Sequence, residues 1–499
     1  MKPLLVFSLC LLLAPLTIFC ALAAPPPRSL TLNEAVRIAV ENNLDVRAEL
    51  YNPAQFEADI RRYRAIYAPR ITAQTGVADT TEAQPRADGR IIDARSHILD
   101  TSVSQLFPTG ATAALSLSNA YNDNNSPSLL HPYWVTGLAL TLNQPLLKNR
   151  GREVTEENIR ISQLSKYASL ERFKTRLLTT VAQVRYDYFK LYRLREELGV
   201  RQVSLELAKT ILTETRARVA AGVLPALEIL NAEFGAITRE KELNDAEKAV
   251  SDQVDILRLL LQLDGGIDIA TTDVPSPECY EISEAAAIDR SLTRPDLLEQ
   301  QQHLELAEFQ TRVLNNKRQP DLSLQTSAGV NAIDRDRVFN DGDREAFDHF
   351  NWSVGLVISY PLGNEAAENE FRKSRLKSEQ TRIQIKSLQE TAANEVRAAV
   401  RGIGSSFKQI EVSDRGVAFA DKRLHAFIRK NEAGLATTKE VLDVETELAA
   451  AKSNRIAALV LYADSLTRLW QVTGELLEHQ GILVDESDAN RLYEGRAMK

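Results

Sequence analysis

The chain has 499 residues, 60 of them Lys or Arg and 68 Asp or Glu, for a formal net charge of −8. That sign gives a polyanion no attraction and excludes nucleic acid as an expected partner. There are three cysteines, two of them within the first 20 residues, so Cys279 has no intrachain disulfide partner once a leader is cleaved.

Residues 1–23 read as a secretory signal peptide: Lys2, an apolar run from Leu4 to Phe19, then Ala21-Leu22-Ala23 as a small-residue cleavage site before Pro25-Pro26-Pro27. The run is too short for a membrane span. Cys20 is a poor lipidation site because bulky Phe19 stands where a small residue is expected.

Thr31-Leu32-Asn33-Glu34 has capping-box spacing and opens a helix to about Glu41. Asn42-Asn43 interrupts it, and a second helical pattern continues to Tyr67, where Pro69 stops it. Between residues 70 and 144 the period changes to two. Ile71, Ala73, Thr75 and Val77 alternate with polar neighbours, as do Ala113, Leu115 and Leu117, and again Leu138, Leu140 and Leu142. Turn-rich segments separate them: Ala83 to Gly89, Phe107-Pro108-Thr109-Gly110, and Asn122 to Pro127. Tyr121, Tyr133 and Trp134 lie near strand ends, where a membrane barrel carries an aromatic girdle. A water-soluble sandwich is the alternative for these strands.

Residues 147–263 then form a long helical hairpin. Its outgoing helix of about 70 residues would span roughly 105 Å at 1.5 Å per residue. The pattern recurs. A shift of 212 lays Gly222, Leu230 and Glu233 on Gly434, Leu442 and Glu445. The heptad series Val184, Leu191, Leu198, Leu205 and Leu212 falls on Val396, Ile403, Ile410, Val417 and Leu424, all apolar. Seven-residue spacing keeps a narrow seam against a partner helix, so both hairpins read as coiled coils. The first structural repeat is thus 24–265 (helices 31–67, strands 70–144, hairpin 147–263). The second is 266–474 (helix 282–317, strands 321–360, hairpin 364–472).

In the second copy Leu322, Leu324, Thr326, Ala328 and Val330 form one alternating face and Trp352, Val354, Leu356, Ile358 and Tyr360 another. The charged stretch Asp334 to Asp343 lacks the turn glycine of a calcium loop and reads as solvated. Gly402 and Gly404 stand where the first copy has Lys190 and Tyr192. They are expected either to mark a bend or to receive an aromatic side chain of the other copy. Residues 475–499 form a polar C-terminal tail read as irregular.

The fold class is mainly α with β: duplicated coiled-coil hairpins and antiparallel strands. Open strand edges in lipid would each leave backbone groups unpaired, so a chain with four such strands must oligomerise to close a transmembrane β-barrel. Pairing around Phe107-Pro108-Thr109-Gly110 could raise the count to six.

The order of these elements, the exits Gln144-Pro145-Leu146 and Tyr360-Pro361-Leu362, and the turn from Ala221-Gly222 to Glu228-Ile229-Leu230-Asn231-Ala232-Glu233 resemble the TolC family of outer-membrane efflux proteins. The resemblance covers nearly the whole mature chain. It implies a homotrimer whose twelve-stranded barrel sits in the lipid of a Gram-negative outer membrane and continues as an α-barrel across the periplasm. It implies a periplasmic adaptor (membrane fusion) protein and an inner-membrane RND or ABC transporter as partners. The adaptor-docking hairpin tips would include Ala221, Gly222, Val223 and Leu224 in one copy and Ala433, Gly434 and Leu435 in the other. The periplasmic constriction would hold Glu228, Asn231, Glu440 and Asp443, three copies of which would favour cations.

No P-loop, His-Glu-x-x-His or Gly-x-Ser-x-Gly motif occurs and the histidines are scattered singly. Neither enzyme chemistry nor a cofactor or metal is therefore expected. The runner-up function is a secreted, non-conducting coiled-coil scaffold or adhesin.

Overall fold

The computed structural model describes residues 28–83, 91–125, 132–266, 268–334 and 350–494. The stretch expected to be a leader, with Cys10 and Cys20, the turn residues 84–89 and 126–127, and most of the charged stretch after Asp334 lie outside them.

The described chain starts with β1 (Arg28–Leu30), α1 (Leu32–Asn42) and α2 (Leu44–Arg64), extended by a 3-10 turn over Ala65–Tyr67. The Thr31 hydroxyl accepts from the Glu34 backbone while Glu34 accepts from the Thr31 N–H, so α1 begins at a complete capping box. Asn43 caps α2, its Oδ1 accepting from Asp45 and Val46 N–H. Four strands follow: β2 (Arg70–Ala83), β3 (Ile91–Leu106), β4 (Thr112–Asn124) and β5 (Tyr133–Pro145). The short α3 (Arg152–Thr155) leads into the first hairpin, α4 (Glu157–Ala220) and α5 (Leu227–Leu261). β6 (Ile269–Thr271) returns to pair in parallel with β1.

The second copy has α6 (Glu284–Ser291), α7 (Pro295–Lys317), β7 (Asp321–Asp334), β8 (Phe350–Ser359), α8 (Glu365–Glu432) and α9 (Thr438–Thr473). Where one helix is expected over 282–317 there are two, because Pro295 at the first turn of α7 forces a new start. As far as Glu494, the C-terminal tail is not irregular. It forms α10 (Leu476–His479), whose Leu476 and Leu477 are buried, and α11 (Glu486–Tyr493), which packs on α2. Arg61 of α2 lies over the Tyr493 ring, and Lys166 of α4 donates to Asn490.

The strands form one antiparallel sheet in the order β2-β3-β4-β5-β7-β8, which makes six among the described residues rather than four. Its register puts the apolar positions of every strand on one side. Across the sheet, Ile71 faces Val103, Val103 faces Leu115, Leu115 faces Leu140, Leu140 faces Ala328 and Ala328 faces Trp352. The other side carries mostly small or polar residues such as Ser102, Ser116, Ala139, Ser327 and Ser353, with Ile98, Leu106, Val135, Ile333 and Val357 as apolar exceptions. Tyr121 and Trp134 are register partners with ring centroids 5.0 Å apart. Tyr133 pairs with Asn122 instead and so faces the opposite side, which removes it from the girdle expected of all three.

At 64 and 68 residues, α4 and α8 are about 96 and 102 Å long. Of their heptad seam, Val184, Leu191, Leu205, Val396, Ile403, Ile410 and Leu424 are buried, and Leu198, Leu212 and Val417 half-buried. Next to the sheet the helices pack in the row α2-α4-α7-α8; toward the hairpin tips the row is α5-α4-α9-α8. The large core cluster lies where α1, α2, α4, α5, β1 and β6 meet. α8 passes unbroken through Gly402 and Gly404. A Cβ on Gly402 would meet only Ser465 Oγ within 4 Å, at 3.9 Å, and one on Gly404 would meet nothing, so no aromatic group among the described residues fills the space. Among the described residues no helix is long and apolar enough to cross a membrane.

Candidate functional site

The two hairpin tips share one backbone geometry. At the end of α4, Ala221 N–H donates to Ala217 O (3.0 Å), Gly222 N–H to Val219 O (2.9 Å) and Val223 N–H to Arg218 O (2.9 Å). At the end of α8, Ala433, Gly434 and Leu435 repeat the set onto Arg429, Asn431 and Lys430 at 3.1, 3.0 and 2.8 Å. These bonds satisfy the last carbonyls of each helix and require a left-handed residue, which glycine adopts without steric cost. Gly222 has φ +73° and Gly434 φ +72°.

The tips present apolar groups to solvent. Val223 and Leu435 are 69% and 78% exposed, and Leu224 is half-buried. Just beyond, Leu227, Leu230, Phe234 and Ile237 make an exposed stripe at helical spacing along α5. α5 is one outer helix of the row, and the other, α8, carries exposed Val412 and Phe419.

Glu228 and Asn231 sit in the first turns of α5, and Glu440 and Asp443 at the equivalent turns of α9. Their surroundings differ. Glu440 is consumed by the helix cap: its Oε2 accepts from the Thr437 N–H (2.7 Å) and hydroxyl (3.0 Å), and the Thr437 backbone bond holds its carboxyl below the usual range. Asp443 is exposed, Asn231 is half-buried, and Glu228 Oε2 is shut off from solvent with no hydrogen-bond partner among the described residues.

A second polar cluster, which the sequence pattern does not announce, joins the hairpins behind the tips. Buried Glu445 of α9 accepts from Arg239 of α5 at 3.0 Å and from Ser204 of α4. Arg239 also donates to Thr446 and, at 3.2 Å, to Glu242, which Arg201 of α4 reaches at 3.0 Å. Nearby, a Cβ on Gly235 would come within 2.6 Å of Leu442 Cδ1, so α5 and α9 touch there through a glycine. At the tips, Arg218 of α4 donates to Asn431 O and Oδ1 at 3.2 and 3.1 Å, and Asn431 Nδ2 donates to Ala436 O at 2.9 Å. In the sequence the repeat aligns buried Glu445 with Glu233, which is only half-buried, and so hides the burial of Glu445.

Comparison with known proteins agrees with this geometry. Residues 289–475 match the model of the outer membrane efflux protein family. No curated protein matches the chain by sequence. Among solved structures, the outer-membrane channel OprN is 15% identical, covers 89% of each chain and superposes with a TM-score of 0.67. The outer membrane protein VceC of Vibrio cholerae is 15% identical over 89% of this chain and 96% of its own, TM-score 0.65. The MtrE outer membrane channel of Neisseria gonorrhoeae, in its open state, is 16% identical over 89% of each chain, TM-score 0.61. Residues 289–475 thus carry the outer membrane efflux protein domain, and the chain has the fold of these channels along nine-tenths of its length.

Proposed function

We propose that this chain is the outer-membrane channel-tunnel of a tripartite efflux or type I secretion system, the duct by which small molecules or proteins cross the periplasm and outer membrane. The observation that carries the reading is a single apolar face shared by all six strands, set at one end of hairpins about 100 Å long. A sheet whose outside is apolar and whose inside is small and polar is the wall of a water-filled barrel. Its β2 and β8 edges cannot stay open in lipid, since each unpaired backbone group there costs several kcal/mol. Copies of the chain close it, as a homotrimer by the resemblance to the family. The exposed α5 stripe and the Val412–Phe419 face of α8 are the helical counterparts of those edges.

The paired tips form the periplasmic end and the docking surface for an adaptor protein, which links the duct to an inner-membrane RND or ABC transporter. The constriction draws on Glu228, Asn231, Glu440 and Asp443. Asp443 is the member that best supports a cation preference, because its carboxylate is exposed while that of Glu440 is held by its cap. Planar-bilayer recording tests the assignment: purified protein should insert and conduct, and it should fractionate with outer membranes. A protein soluble without detergent that passes no ions would instead be a coiled-coil scaffold.

A further inference from the structure

Among the described residues, the first repeat has four strands between the α2 exit and the α4 entry where the second has two between α7 and α8. Pro69 and Pro320 open the two sets, and Pro145 and Pro361 close them, so the additional piece is the β3–β4 hairpin, inserted in the middle. It is built into the wall. β3 pairs with β2 along the full length of β2, and β4 pairs with β5 from Thr112 to Asn122. Its turn is anchored at the helical end of the sheet: Gly151 N–H donates to Thr109 O at 3.0 Å, and Thr109 bonds the Gln144 side chain at 3.0 Å. Gly110 adopts φ +86° there, and a Cβ on it would lie 2.6 Å from the Asn149 carbonyl, so only glycine lets the turn sit against the first helical segment.

The geometry points to a purpose for this hairpin, and we propose that it makes the outer-membrane barrel as wide as the helical tube below it, with six strands from every copy of the chain. The inference rests on the channel reading above and extends it. Under the sheet stand four helices in the row α2-α4-α7-α8, and at about 10 Å between axes each copy contributes an arc of about 40 Å. Strands 4.8 Å apart and tilted by about 40° each take up about 6.3 Å of circumference. Six give about 38 Å, and four would give only about 25 Å. The match is per copy and holds for any copy number.

With three copies the wall has eighteen strands and is about 36 Å across between backbones, against about 24 Å for twelve. The face away from lipid is lined by small groups such as Ser102, Ser116, Gly137, Ser327 and Gly355, which leave that bore open. The duct is therefore not narrowed in the membrane, and the size of what passes is set at the hairpin tips. The occupant of the β2 and β8 edges is a second copy of this chain. The apolar face runs without a break to both edges, ending in Ile71 and Val77 on β2 and in Trp352, Leu356 and Ile358 on β8.

Two measurements test this. Single-particle images of the protein in lipid nanodiscs are expected to show six strands per subunit at membrane depth, and four per subunit overturn the proposal. On a Cys279→Ser background, Leu99→Cys and Leu115→Cys in intact cells are expected to resist a membrane-impermeant maleimide. Ser102→Cys and Ser116→Cys are expected to react in channels whose tips have been opened. Equal labelling of all four positions places the hairpin outside the wall and sinks the inference even if the protein conducts. A protein that never reaches the outer membrane defeats the channel assignment instead, so the two failures are distinct.

Discussion

Arg218 at the end of α4 donates to both the carbonyl and the side-chain oxygen of Asn431 at the end of α8, which fastens one hairpin tip to the other. The repeat does not supply this contact twice. The position equivalent to Arg218 is Lys430, whose ammonium lies over the Phe427 ring, 5.1 Å from its centre. A hydrogen bond from a charged group contributes about 1.5–3 kcal/mol, so Arg218→Ala should free the tips without unfolding the hairpins. The expected outcome is a higher open probability in planar bilayers with an unchanged helical circular-dichroism melt. Identical gating in the variant would show that the tips are held elsewhere.

The Arg239–Glu445 pair is a different kind of tie. Both side chains are buried, and removal of one partner leaves an uncompensated charge, at a cost of about 3–5 kcal/mol. Arg239→Met and Glu445→Leu should each lower the melting temperature in detergent. The double variant Arg239→Met with Glu445→Leu should recover much of the loss, because no charge is then stranded. If the double variant is as unstable as the sum of the singles, the pair contributes through packing alone.

The parts of this structure legible in the sequence are those written locally. The offset of 212 copies tip glycines and heptad seam alike, because a Schellman turn and a coiled coil need particular residues within one or two turns. The strand count was not legible, since β3 places Ile98 and Leu99 side by side and so puts apolar groups on both faces. A period-two reading fails there, and the pairing that rescues it comes from β2 and β4. Nor could Glu445 be recognised as buried: its partners Ser204 and Arg239 are 241 and 206 residues away. The helices after Gly474 are not legible either, because α11 is polar and packs on α2, far away in sequence.

Asp464 on α9 gives the helical region a pH dependence. Burial pushes its carboxyl up to about 7, against the pull of Arg193 and Arg185, and its Oδ1 has no hydrogen-bond partner among the described residues. A folded-state value above the unfolded one means that the native protein holds a proton the unfolded chain has lost. The stabilisation is complete below the unfolded value near 4, drains away as pH rises, and is gone above about 7. Asp464→Asn should therefore melt at a higher temperature than the parent at pH 8 and at nearly the same temperature at pH 4. A parallel shift at both pH values would mean that the carboxyl is ionised throughout.

Leu140 and Thr141 are neighbours on β5 that face opposite sides of the sheet, Leu140 with Leu115 and Ala328, Thr141 with Ala114 and Ser327. If the apolar side meets lipid, an arginine at Leu140 lies near the middle of the bilayer and costs about 2–4 kcal/mol, whereas an arginine at Thr141 points into the aqueous bore. Leu140→Arg should reduce the fraction of protein that assembles into a heat-resistant oligomer and lower its urea midpoint in lipid vesicles. Thr141→Arg should assemble normally and instead change the anion-to-cation permeability ratio, since it adds a ring of positive charge to the wall. The pair of variants separates the two sides of one strand with substitutions of equal size and charge. Equal loss of assembly from both would mean that neither face is open to water, and the sheet would then not be the wall of a channel.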